Sequence, residues 1–276
     1  MKRKRSVVLL GDVLGCLIAG IVFIVPFLFM FLSSVKDRKE ANLLSLSIPK
    51  EFHWENYITV FQENDYQIVR AFKNSLLLSG ASVLILIIVC SMGGYFLQRR
   101  QDKISKVING IVMSGLMIPA SVLPTIWVLQ KIGLYKTLFG MTMIEVALNI
   151  PFTAMLYIGY LSSIPIELEE AGYIDGCSSW KLFIGIIFPL LKPITATVII
   201  LDAVTVFNDF TNPLYFLPGR ENVTVQLTIY NFMGKYASSY NLLFADVILI
   251  TIPMLILFLF FNKRIVDGMV AGAVKG

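Results

Sequence analysis

The densest grouping of residues that could do chemistry lies between Ser163 and Pro189. It holds Glu167, Glu169, Glu170 and Asp175, followed by Gly176, Cys177, Trp180, Lys181 and Phe183. Ser163 and Pro165 are suited to open a helix with the three glutamates in its first turns, where the helix dipole favours negative charge. Asp175-Gly176 is a turn or C-cap signal, and Ser178 or Ser179 can cap a second short helix. Two short helices on a tight turn make a shape that docks on a partner. The other reading, an amphipathic loop lying on lipid, is opposed by the repulsion between these acids and anionic headgroups. A second set of polar residues sits in apolar surroundings: Glu145, Asp202, Asn208, Asp209 and Asn212. Ionisable groups there are costly. They either line a path for a polar solute or make hydrogen bonds between helices.

Enzymatic signatures are missing. Gly133-Leu-Tyr-Lys136-Thr137 lacks the spacing of a phosphate-binding loop, and no nucleophile elbow, zinc-protease or dinucleotide fingerprint occurs. No cofactor is therefore expected on this chain, and neither is ATP hydrolysis. Cys16, Cys90 and Cys177 are odd in number and show no metal-ligand spacing. His53, the sole histidine, is expected at the surface rather than on a metal.

Composition fixes the setting of these residues. Hydrophobic residues make up 57% of the 276 and charged ones only 15%, with a mean hydropathy of +0.76. Disorder and an ordinary water-soluble globule are both excluded. The net charge of +5 comes from basic residues flanking apolar runs, which points to membrane lipid and not to nucleic acid. The apolar runs are Val13–Val35, Ser75–Leu97, Val107–Leu129, Leu138–Tyr160, Ile194–Leu217 and Leu242–Phe261. They predict an all-α, polytopic membrane protein with about six transmembrane helices. The first run is too long for the core of a cleaved signal peptide and is expected to be retained. Basic residues at Lys2–Arg5, at Arg99, Arg100, Lys103 and Lys106, and at Lys263, Arg264 and Lys275 place both termini in the cytoplasm. The mixed-charge connection Lys36–Asn74 then lies outside. Asp202, nine residues after Pro193, would sit about 14 Å into its helix, near the midplane.

The 163–192 loop resembles the cytoplasmic signature of permease subunits of binding-protein-dependent ABC importers. That signature reads Glu-Ala-Ala, three residues, Gly, nine residues, Ile, one residue, Leu-Pro. Here Glu170-Ala171-Gly172 leads to Gly176, then Ile186 and Phe188-Pro189, with Gly172 and Phe188 as the departures. Trp54-Glu55-Asn56-Tyr57, Asn74-Ser75, Asn208-Asp209-Phe210 and the terminal Ala271–Gly276 are similar to maltose-type carbohydrate permeases of the G type. The resemblance covers nearly the whole chain and implies a single permease domain, 1–276, with the coupling loop at 163–192.

The resemblance also implies a machine. Glu169, Glu170, Ala171, Gly172, Asp175 and Gly176 would engage a cleft of a cytoplasmic ABC ATPase dimer, which binds the ATP and Mg. Glu170 would be the polar anchor and Gly176 the turn. The tail Ala271–Gly276 would reach into the ATPase interface. A homologous second permease subunit and an extracellular sugar-binding protein would complete the assembly. Arg220, Glu221, Tyr230, Tyr236 and Tyr240, in the outer segment Pro218–Asn241, would meet the binding protein. Asp202, Asn208, Asp209 and Asn212 would line the path of a carbohydrate. Two rival readings are import of another solute, such as glycerol phosphate, and a channel or membrane enzyme. The coupling-loop pattern disfavours the channel, and the missing catalytic constellation disfavours the enzyme.

Overall fold

The computed structural model describes the backbone of residues 2–100, 102–234 and 238–273, and side chains at 13, 15–16, 18–100, 102–234 and 238–260. Tyr236 and Val274–Gly276 lie outside these residues, so the expectations placed on them are not addressed. Helices alone form, with no strand among the described residues. They are α1 (Lys2–Ser34), α2 (Arg38–Asn42), α3 (Glu55–Arg99), α4 (Lys103–Ser114), α5 (Val122–Lys131), α6 (Leu138–Leu161) and α7 (Glu167–Ile174). Next, α8 (Ser179–Leu182) runs through a π-helical turn, Phe183–Ile187, into α9 (Phe188–Leu190). Then come α10 (Lys192–Phe207), α11 (Thr211–Phe216), α12 (Val225–Thr228) and α13 (Tyr240–Ala273).

The all-α, multi-span fold is as expected, although two of the expected spans are interrupted. Among the described residues, three stretches are long and apolar enough to cross a membrane: Glu55–Arg99, Leu138–Leu161 and Tyr240–Phe260. A fourth exists if Ser179–Leu190 and Lys192–Phe207, bent by 72°, count as one. In α1, the continuously described apolar part is Ile18–Ser34. The expected third span, Val107–Leu129, is not one helix: α4 stops at Ser114 and α5 starts at Val122. Pro119 lies in the gap. Proline offers no N–H and disfavours helix at the residue before it. Gly115 ends α4 hard against α6, where a β-carbon would fall 2.7 Å from Pro151 Cγ. The expected fifth span is likewise broken, because α10 ends at Phe207 and α11 begins at Thr211. At the start of α4, Asp102 Oδ1 accepts from the Ser105 amide at 2.7 Å, and that bond holds the Asp102 carboxyl below its ordinary range.

The residues group into two compact units. One comprises Met1–Val69 with Thr228–Ile252, the other Arg70–Leu227 with Pro253–Gly276. The second unit holds the larger core. Leu86 and Cys90 of α3, Tyr157 and Leu161 of α6, Leu182, Ile187 and Leu191 beyond α7, and Val198 of α10 are buried together. This cluster fixes the frame from which α7 projects. Outward-facing apolar side chains remain bare, such as Ile104 at 71%, Leu123 at 65% and Phe260 at 80% exposure. Each would be costly in water, by roughly 1.5–3 kcal/mol relative to burial, and each is at home in lipid.

In the first unit, α3 opens with a short helical stretch interrupted at Glu63–Tyr66, where Asn64, Asp65 and Tyr66 take left-handed φ of 50°, 55° and 57°. Asn56 is buried and donates to the carbonyls of Ser34 (2.8 Å) and Lys36 (2.9 Å), while Asn241 donates to its Oδ1 at 2.9 Å. Tyr57 and Ser34 share a hydroxyl hydrogen bond of 2.7 Å. Two residues of the Trp54–Tyr57 motif are thus fasteners for the end of α1. Lys36, read from the sequence only as a loop charge, is fully buried and donates to the Ser45 carbonyl at 2.7 Å.

Candidate functional site

The 163–192 loop folds largely by its own residues. Glu167, Glu169 and Glu170 occupy the first turn of α7, as expected. At the other end, the Gly176 amide donates to the Tyr173 carbonyl and the Cys177 amide to the Gly172 carbonyl, both at 3.0 Å. Gly176 takes a φ of +78°. These two bonds, with a left-handed glycine between them, make a Schellman cap, so Asp175-Gly176 is a C-cap. Ser178 rather than Ser179 caps α8, its Oγ accepting from the Lys181 amide at 3.4 Å. Ser163 does not open α7. Its hydroxyl donates back to the Tyr160 carbonyl at 2.8 Å, and α7 starts after Ile166 without a side-chain cap.

The two faces of α7 differ. Glu169 and Gly172, three apart, are buried, while Glu167, Glu170, Ala171, Ile174, Asp175 and Gly176 are exposed. Ile174 is 85% exposed. The outer face therefore offers acids beside apolar carbon. Gly172 has a packing reason that the sequence did not reveal. A β-carbon there would lie 2.9 Å from Ile186 Cδ1 and 3.0 Å from Leu182 Cδ1, so its absence lets α7 close on the following helix.

Two residues missed at the sequence level hold the inner face. Arg99 Nε donates to Glu169 Oε1 at 2.6 Å, and Tyr95 Oη donates to Glu169 Oε2 at 2.9 Å. Arg99 Nη2 also donates to the Ile164 carbonyl at 2.9 Å. The Arg99 side chain is 17% exposed and that of Glu169 7%, so the pair is largely screened from water. In the sequence alone Arg99 is only a flanking charge. Its place at the end of an apolar run, with an acid-rich loop later in the chain, was the available signal.

The expected path residues are distributed differently. Asp202 is 1% exposed and accepts from Thr153 Oγ1 of α6 at 2.9 Å. That is the interhelical hydrogen bond weighed above against a lining role. Asn208 is exposed and accepts from Gln226 at 3.1 Å. Asp209 Oδ1 accepts from the amides of Thr211 (2.9 Å) and Asn212 (3.2 Å), starting α11 after the break. Asn212 reaches a cavity of about 230 Å³, together with Ser121, Thr125, Ile144, Leu148 and Phe216. Glu145 is buried in α6. Among the described residues, no group of three or more His, Cys, Asp or Glu could hold a metal ion.

The outer segment is pinned from afar. Asn74 donates to the Val223 carbonyl at 3.0 Å and the Glu221 carbonyl at 3.3 Å, and Ser75 Oγ accepts from the Val225 amide at 3.0 Å. The Asn74-Ser75 pair singled out in the sequence thus anchors this stretch. Arg220 and Glu221 are exposed. In the other unit, Tyr230 is 50% exposed, and the Tyr240 ring stacks on Phe244 with centroids 6.3 Å apart. His53 pairs with Glu55 at 2.5 Å, and this hydrogen bond raises the imidazole above its ordinary pKa.

Comparison with known proteins agrees with the fold and with the resemblance. The chain is 31% identical to the melibiose/raffinose/stachyose import permease protein MelC of Bacillus subtilis, covering 100% of this chain and 98% of that one. It is 30% identical to the multiple sugar-binding transport system permease protein MsmG of Streptococcus mutans, covering 100% of both. A chain of a bacterial ABC transporter involved in alginate import shares the fold, with a TM-score of 0.82 at 19% identity over 95% of this chain and 98% of that one. Residues 91–270 match the family model described as "Binding-protein-dependent transport system inner membrane component". The chain belongs to that family and is a transport subunit, not an enzyme.

Proposed function

We propose that this chain is the permease subunit of an ATP-driven importer for a carbohydrate, an oligosaccharide being the class named for its relative MelC. The observation that carries the coupling reading is the outer face of α7. Glu167, Glu170, Ala171 and Ile174 project together from a helix whose other face is buried. A rigid helix presenting acids and apolar carbon suits insertion into a cleft with a basic rim. The cleft belongs to a cytoplasmic ATPase dimer, which holds the ATP and Mg. Because each chain carries one such helix, a homologous second permease docks on the other ATPase. Both termini of the chain then lie in the cytoplasm.

An extracellular sugar-binding protein delivers the substrate. It meets the outer segment, a role supported in one unit by the exposure of Arg220 and Glu221 and, separately, in the other by that of Tyr230. Asn208, Asp209 and Asn212 flank the path, with Asn212 supported by its place in the cavity wall. The chain, tagged and extracted from its native membranes in mild detergent, should bring down a second permease and an ABC ATPase, identified by mass spectrometry. A chain that purifies with neither, even after cross-linking, would overturn the proposal.

A further inference from the structure

Within the second unit, α7 is joined covalently to α6 on one side and α8 on the other. Helix α3 has no chain connection to the loop, for its last residue, Arg99, precedes Glu169 by 70 positions. Yet the end of α3 grips α7. Arg99 holds Glu169 and, through its second nitrogen, the Ile164 carbonyl in the link that leads into α7. Tyr95, one turn back on the same face of α3, takes the other carboxylate oxygen. The Tyr95 ring also leans on Phe183, just beyond α8, with centroids 5.5 Å apart. A forked guanidinium that meets a carboxylate and a carbonyl at once resists rotation as well as separation.

We propose that Arg99, supported by Tyr95, is a positioning residue for energy coupling: it latches α7 to the end of α3, so that movement of α7 on its docking partner drives a membrane-spanning helix directly. The latch rests on the coupling reading given above. It assigns different work to neighbouring glutamates. Glu170 faces the partner, and Glu169 faces inward and transmits.

The test uses the whole transporter, purified with its partner subunits, so that no sugar need be known. Cys16, Cys90 and Cys177 are replaced by alanine, and Ser121→Cys, in the wall of the same cavity, reports on it through its rate of labelling by a maleimide. In the otherwise unchanged chain, ATP shifts that rate. In Arg99→Gln, the ATPase subunits remain bound and hydrolyse ATP, while the ATP-induced shift shrinks about tenfold, within the usual range of coupling between sites. A residue that serves only folding would lower the yield of complex and leave the shift per assembled complex unchanged.

If Arg99→Gln keeps the full shift, or loses the ATPase subunits as a docking residue would, the latch is overturned. Should Arg99→Gln fail to fold, so that no chain is recovered from the membrane, Tyr95→Phe decides by the same criteria. It keeps the ring against Phe183 and removes one hydrogen bond, and an about threefold smaller shift is expected. Failure of the coupling reading is seen separately, as an unsubstituted chain that carries no ATPase.

Discussion

The 163–192 loop and the outer segment 218–241 both join helices, and they take their local shape in different ways. The loop is shaped by neighbours in sequence, through a Schellman cap at Gly176, a serine cap at Ser178 and a glycine contact between Gly172 and Ile186, and the grip of Arg99 on Glu169 then ties the finished shape to α3. The first half of the outer segment is held by Asn74 and Ser75, whose partners lie 147 to 150 positions away. Local closure yields a rigid knob that can be pushed as one piece. Remote fastening ties the segment's position to the start of a membrane helix. The first suits a part that receives force, the second a part that responds to it.

The largest expected effects come from undoing each kind of fastening. Asn74→Leu leaves the buried Val223 carbonyl without its donor, a loss of about 1–3 kcal/mol. Residues 218–227 should then become sensitive to trypsin at Arg220, while labelling of Cys177 in the other loop stays unchanged. If both regions loosen together, the contrast between them fails. Gly176→Val places a β-branched residue in a left-handed turn at a cost of about 1–2 kcal/mol. It should reduce ATPase co-purification without new cleavage at Arg220.

Smaller effects sharpen the contrast. Gly172→Ala introduces a methyl that meets only the ends of the Ile186 and Leu182 side chains, and its helix propensity gain of up to about 1 kcal/mol offsets the crowding. ATPase retention should be preserved, whereas Gly172→Leu should lower it by wedging the helices apart, at about 1–3 kcal/mol. Asp202→Asn can still accept from Thr153, so ATP-driven conformational change should continue nearly unaltered; a severe loss would return Asp202 to the translocation path. The smallest effect concerns His53. Its imidazole should titrate above the ordinary value by NMR and fall back in Glu55→Gln. The pair's modest contribution to stability is present below the ordinary histidine pKa and lost as pH rises through the raised one.

Local chemistry explains which parts of this protein were legible in its sequence. The turn at Asp175-Gly176, the acids of α7 and a serine cap at α8 are written in adjacent residues. Asn74-Ser75 stood out as a motif, but its partners at 221–225 could not be read without the fold. The grip of Arg99 on Glu169 was hidden for the same reason. Hydropathy located apolar runs but not their continuity. A run with Pro119 inside it, and another with Asn208-Asp209 inside it, read as spans although the backbone breaks there. The Asp202–Thr153 bond shows that depth in the membrane does not tell which way a side chain faces.

The central claim is that the outer face of α7 is seated in an ATPase. It is tested most directly by a photo-crosslinking amino acid placed at position 174, where Ile174 is 85% exposed, in intact native membranes. The account predicts one dominant adduct, containing an ABC ATPase subunit, that disappears when Glu170→Arg is present. An adduct with lipid alone, or none with any ATPase, would contradict it.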